Sequence, residues 1–163
     1  MDITEILKKI SAWKIRHVCV TGGEPLAQPA CRQLLQDLCD AGYTVSLETG
    51  GAMDIGGMDT RVIRIVDIKT PGSGEASKNL WKNLDKITAR DQIKFVICSR
   101  SDYEWSLDTI KRHALNERCT VLVSPSFHDL PARELADWVV QDQAPVKFQL
   151  QMHKYLWGEK PGH

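Results

Sequence analysis

Short β-branched apolar runs and helical patterns take turns along almost the whole chain, separated by brief connections. The runs cover residues 16–21 (RHVCVT), 43–48 (YTVSLE), 62–68 (VIRIVDI), 92–98 (QIKFVIC), 120–123 and 146–152 (VKFQLQM). Helical spacing of apolar residues covers residues 1–13, where Asp2 caps the first turn and Glu5 stands three residues on. It returns at 29–39, with Leu34, Leu35 and Leu38 on one face and Gly42 as the stop. A weaker pattern spans 79–87, a stronger one 102–115 behind Ser101 as cap, and a last one 131–141 with Pro131 in its first turn. Strand and helix in alternation are the signature of parallel βα units. Right-handed crossovers then place the helices on one side of a sheet that curls toward a barrel. The expected fold class is α/β, a partial (β/α)6-type barrel of mostly parallel strands, with all 163 residues in a single domain.

Charge and composition narrow the function. Twenty-one basic residues balance 21 acidic ones, so the basic excess that neutralises phosphates is missing and a nucleic-acid partner is not expected. The longest apolar runs, such as 135–140, fall well short of the ~18 residues a membrane span needs. No positively charged start leads into an apolar stretch and a small-residue cleavage site, so the expected location is the cytoplasm. The five cysteines (Cys19, Cys31, Cys39, Cys98 and Cys119) are odd in number and widely spaced, which reads as free thiols in a reducing compartment. Cys19 and Cys98 sit in apolar strands and read as core. Cys31 and Cys39 are eight residues apart on a helix, ~12 Å along its axis, too far to share a metal ion. No metal ligands are expected in the chain.

Ligands of parallel α/β sheets gather where the strands end. The ends here are polar and rich in glycine: Thr21, Gly22, Gly23, Glu24 and Pro25; Glu48, Thr49, Gly50 and Gly51; Asp67, Ile68, Lys69, Thr70 and Pro71. Ser124, Pro125, Ser126 and Phe127 follow the fifth run, and Gln151, Met152, His153 and Lys154 the sixth. Two glycines at a strand end let a ligand approach bare main chain, and Glu24 offers an acceptor for a ligand ammonium. An ordinary strand-to-helix turn accounts for the same residues equally well. Asp67 and Lys69 alternate on one strand and so share a face, where they serve either a ligand or each other as an ion pair. Neither GxxxxGK[ST] nor GxGxxG follows any strand, so a phosphate-cradling loop is not expected.

Taken together, TGGEP, ETGG, DIKTPGSGE and the ending FQLQMHKYLWG resemble the radical S-adenosylmethionine enzymes, and among them the 7-carboxy-7-deazaguanine synthases of queuosine biosynthesis. The likeness runs from about residue 13 to residue 157. GGEP alone marks the superfamily, and GGEP, DIKTPGSGE and QLQMHK together point to the synthases. The resemblance implies that Gly22, Gly23 and Glu24 hold the methionine end of S-adenosylmethionine, with Glu24 near its amino group. Glu48 and the strand-end residues Asp67, Ile68 and Lys69 would also contact this cofactor, and Ser124, Pro125, Ser126 and Phe127 would lie near its adenine. Thr21 and His153 would reach the pterin substrate. In the family, 6-carboxy-5,6,7,8-tetrahydropterin becomes 7-carboxy-7-deazaguanine with loss of ammonia. The reaction starts when a reduced [4Fe–4S] cluster, fed by a donor such as flavodoxin, cleaves S-adenosylmethionine to a 5′-deoxyadenosyl radical. A magnesium ion assists the ring contraction.

One departure from the family is large. Its cluster hangs on three closely spaced cysteines before the first helix, and this sequence starts at that helix. The first strand, the magnesium-binding residue and the early substrate contacts are missing with them. The chain as written is therefore expected to be inactive. Either Met1 is an internal methionine of a longer protein, or the shortening is real and leaves a non-catalytic S-adenosylmethionine- or pterin-binding remnant or a chain that must borrow a cluster domain from a partner. A missing first strand also leaves an open sheet edge, which favours a homodimer. An unrelated barrel enzyme using Glu24, Asp67 and Lys69 in acid–base chemistry would explain the charges but not the QLQMHK ending.

Overall fold

In the computed structural model, which describes residues 1–158, the β-branched runs become six strands of one sheet. They are β1 (His17–Val20), β2 (Thr44–Thr49), β3 (Ile63–Asp67), β4 (Gln92–Ile97), β5 (Thr120–Pro125) and β6 (Lys147–Phe148), all parallel and ordered as in the chain. Each crossover advances by one strand in the same sense, so right-handedness puts the helices on one face. The crossover helices are α2 (Cys31–Asp40), α3 (Arg100–Arg112), α4 (Leu115–Arg118) and α5 (Ala132–Gln141); α1 (Ile3–Ser11) precedes β1 and α6 (Met152–Trp157) follows β6. The sheet is open, with β1 and β6 at its edges, and does not close into a barrel.

Period-two alternation decides what each face carries. Val45, Leu47, Val66, Ile93, Phe95, Ile97 and Val123 point toward the helices and are buried there. Leu35 and Leu38 of α2 cover the β1–β2 end, while Tyr103 and Ile110 of α3 and Leu135 of α5 cover the β3–β5 end. Full burial of each such side chain contributes roughly 1.5–3 kcal/mol. The opposite, inner face carries Cys19, Ser46, Glu48, Ile65, Asp67, Lys94, Val96 and Ser124, as the register of neighbouring strands requires.

Several local expectations shift. The helix expected at 79–87 is a 3-10 stretch, Trp81–Lys86. Its asparagines compete with helix formation by bonding to neighbouring main chain. Asn79 accepts from the Lys69 amide and donates back to the Lys69 carbonyl, both at 2.9 Å. Asn83 donates to the carbonyls of Gly51 and Met53. Ser99, not Ser101, caps α3, its hydroxyl accepting from the Asp102 amide. That helix ends at Arg112, and the left-handed backbone of Ala114 (φ 48°) separates it from α4. The strand expected over 146–152 pairs only at Lys147–Phe148, with one further bond from the Gln149 amide to Val123, before α6 begins. Cys19 is exposed, because odd positions of β1 face the uncovered inner side, and Cys98 is half-buried just past β4. Neither belongs to the core. Among the described residues no helix is long and apolar enough to cross a membrane.

Candidate functional site

At the carboxyl ends of β1, β2 and β3 the inner face opens into a pocket of about 230 Å³. Thr21, Gly22, Gly23, Glu48, Asp67 and Lys69 all line it, so three separate strand-end motifs converge. The turn after β1 depends on its glycines: Gly22 and Gly23 have φ of 100° and 54°, left-handed values that other residues rarely adopt. Nothing would crowd a side chain there, so what these residues supply is backbone shape and an exposed main chain.

Glu24 turns inward to the protein rather than outward to solvent. Its carboxylate accepts from the Thr49 hydroxyl (2.9 Å), the Gly50 amide (2.8 Å) and the Leu26 amide (3.1 Å). Three donors fill most of the roughly four lone-pair sites of a carboxylate, leaving room for about one ligand contact. Glu24 thus caps the Pro25–Ala27 turn and ties it to the end of β2. Glu48, one strand over, accepts a long bond of 3.4 Å from the Thr21 hydroxyl.

Asp67 and Lys69 form the ion pair that their spacing allowed, Nζ to Oδ2 at 2.7 Å. The other carboxylate oxygen of Asp67, Oδ1, is buried and has no hydrogen-bond partner. An unsatisfied buried acceptor is costly, and this one lies in a residue lining the pocket. Asn79 holds the main chain of Lys69 on both sides of its peptide, which sets where this pair sits.

Other expected residues lie elsewhere. The Ile68 side chain points to the opposite face and is buried in the helix-side core; only its backbone belongs to the rim, donating to the Lys94 carbonyl. Ser124 shares the inner face but stands two strands beyond Asp67, fully buried with an unpartnered hydroxyl. Pro125 is buried, and Ser126 donates to Asp129 at 2.5 Å. Phe127 is partly exposed and packs edge-on against Tyr155 of α6, with the Lys154 ammonium 5.6 Å from its ring. His153 is exposed on α6. None of these six side chains lines the pocket of Gly22 and Asp67.

Two residues of the site escaped the sequence reading. Lys94 enters the pocket from β4, directly opposite Asp67 in register. Alternation within QIKFVIC, where Ile93, Phe95 and Ile97 face the core, was the signal for it. Asp102, at the start of α3, is buried and accepts from the amides of Gly72 (2.8 Å) and Cys98 (3.2 Å), anchoring the PGSG loop after β3. Only its position three residues beyond Ser99 hinted at a role. A larger groove of about 720 Å³ runs between α1, α2 and the end of β1, but its lining is largely aliphatic. Among the described residues no three His, Cys, Asp or Glu side chains lie close enough to share a metal ion.

No family model matches this sequence. Among curated relatives, the 7-carboxy-7-deazaguanine synthase of Chlorobaculum tepidum is 40% identical over 160 residues, 96% of this chain and 73% of that protein. The synthase of Koribacter versatilis is 38% identical, over 85% of this chain and 67% of its own. That of Leptospira interrogans is 34% identical, over 99% and 74%. Among solved structures, QueE from Escherichia coli superposes with a TM-score of 0.71 at 18% identity, covering 93% of this chain and 64% of that one. SuiB from Streptococcus suis, solved bound to S-adenosylmethionine, gives 0.58 at 12% identity, over 90% and 40%. At such low identities these two speak for the fold alone. The chain spans about two thirds to three quarters of the length of the synthases it matches.

Proposed function

Because the chain belongs to the 7-carboxy-7-deazaguanine synthase family, we propose that its inner rim binds S-adenosylmethionine beside a carboxylated pterin. The reaction it serves is then the ring contraction of 6-carboxy-5,6,7,8-tetrahydropterin to 7-carboxy-7-deazaguanine. The observation that carries this reading is the convergence of Thr21, Gly22–Gly23, Glu48 and the Asp67–Lys69 pair on one pocket.

S-adenosylmethionine fits the donors and acceptors present. The exposed main chain of Gly22 and Gly23 would hold its methionine end, and Glu24 has about one acceptor site left for the ammonium. When bound, it supplies the 5′-deoxyadenosyl group that the family uses to remove a substrate hydrogen. The part-exposed Asp67 carboxylate, which lines the pocket, would take a ligand N–H or O–H. Glu48 and Thr21 would orient the heterocycle from β1 and β2. Among the described residues no three ligating side chains come together, so they supply no ligand set for a [4Fe–4S] cluster, and the two pocket carboxylates are not assigned to a magnesium ion. No step is assigned to either group.

A second reading, supported by a rim that offers ligand contacts without redox chemistry, takes these residues as a binding module for the same ligands. Both readings place the chain in the cytoplasm, and the unpaired outer side of β1 suits a homodimer. Calorimetry of S-adenosylmethionine against the 163-residue chain tests the shared claim: saturable heat is expected, and silence at millimolar ligand would remove both readings. The coding sequence read in frame upstream of residue 1 then separates them: three closely spaced cysteines there support the enzyme, and a stop codon there supports the module.

A further inference from the structure

Resting on that functional reading, we infer that Lys94 is the residue that recognises the carboxylate of the heterocycle, and so sets the preference for a carboxylated substrate and product. Four charged side chains line the pocket: Glu48, Asp67, Lys69 and Lys94. Lys69 is already committed to Asp67 at 2.7 Å. Among the described residues Lys94 makes no ion pair, although its Cα is the register partner of Asp67. A half-buried ammonium facing a pocket without a counter-ion is poised for an anionic ligand group.

Two ligands of the proposed site carry a carboxylate, and geometry separates them. Neighbouring strands lie about 4.8 Å apart, so three spacings put β4 about 14 Å along the sheet from β1. The amine and carboxylate of methionine share one carbon. A methionine end held by Gly22–Glu24 therefore keeps its carboxylate near β1, out of reach of Lys94. The carboxylate that reaches Lys94 belongs to the second ligand, whose ring then spans β2 and β3 beside Glu48 and Asp67. Its ring N–H groups then face the Asp67 and Glu48 carboxylates that line the pocket while its acid faces the lysine.

The test compares 7-carboxy-7-deazaguanine with 7-deazaguanine, which differs only by the acid, on the 163-residue chain. Wild type is expected to bind the carboxylated base at least about tenfold more tightly. Lys94→Met, which keeps the aliphatic stem, should erase that preference, and Lys94→Arg should keep most of it. S-adenosylmethionine affinity should stay within about twofold throughout, which also shows that the variants are folded. A tenfold preference that survives in Lys94→Met overturns the inference alone. So does a fall in S-adenosylmethionine affinity with the preference unchanged, which would make methionine the partner of Lys94. If wild type binds S-adenosylmethionine but neither base, the inference and the pterin part of the reading fail together.

Discussion

The carboxylate of Glu24 accepts from the Gly50 amide at 2.8 Å, and this bond ties the turn after β1 to the end of β2. The same carboxylate takes the Thr49 hydroxyl and the Leu26 amide, so the GGEP turn is cross-braced before any ligand arrives. Glu24→Ala strands two amides and a hydroxyl in a half-buried position. It should lower stability by about 1–3 kcal/mol, or about 2–9 °C in Tm for a chain of this size, measured by thermal unfolding. Thr49→Val, which removes one donor and keeps the shape, should cost less than half as much.

Gly72 has no room for a side chain. A Cβ there would stand 2.3 Å from Oδ2 of Asp102, a buried carboxylate held by the Gly72 and Cys98 amides. Gly72→Ala should destabilise the protein by about 1–3 kcal/mol through this overpacking. Asp102→Ala removes the obstacle as well as the two bonds. Denaturant titrations of both single variants and the double variant should show that the two losses do not add. Full additivity would mean that the loop and α3 are not coupled here.

Acid should unfold the chain partly through Asp91. Burial opposes its ionisation, but hydrogen bonds from the Arg64 guanidinium and amide and from Thr88 outweigh burial and hold its pKa below the ordinary carboxylate value. Asp59 is lowered to about 2 by its hydrogen bonds with Arg61. A lowered folded pKa contributes stability above the unfolded pKa, about 3.9, and loses it as pH falls toward the folded one. Urea midpoints should therefore be insensitive to these groups above about pH 5 and fall between about pH 4 and 2. Asp91→Asn should flatten that decline and cost about 1–3 kcal/mol at neutral pH, because the half-buried Arg64 is left without its counter-ion.

Thiol chemistry offers a further check on the fold. Cys19 is exposed on β1, whereas burial raises the thiol pKa of Cys31, Cys39, Cys98 and Cys119. Thiolate is the reactive form, so alkylation at neutral pH should label Cys19 first and the other four more slowly. Peptide mapping by mass spectrometry reads the order directly. Rapid labelling of Cys31 or Cys39 would contradict the packing of α2 on β2.

Much of this molecule was legible from local pattern. Asp2 caps α1 through the Glu5 amide as its spacing suggested, and the shared face of Asp67 and Lys69 follows from alternation along β3. The same alternation placed Ile68 on the wrong side for a ligand, which the motif DIKTP hid by listing the three residues together. The failed helix at 79–87 shows a different limit. Asn79 and Asn83 look like weak helix residues until their partners, ten and about thirty residues away, are known. Asp102 is similar, since its task is to hold a glycine amide thirty residues earlier in the chain.

What the chain settles by itself is the run of parallel βα units and the polar, glycine-rich residues at their ends. These depend on periodicity and backbone preference, which act over a few residues. Only the tertiary structure decided that Lys94 stands across from Asp67, that Glu24 spends most of its acceptors on its own neighbours, and that the Ser124–Phe127 corner lies apart from the Gly22–Asp67 pocket. Those outcomes depend on which strands are neighbours and in what register, and such pairings are made by contacts between residues far apart in sequence.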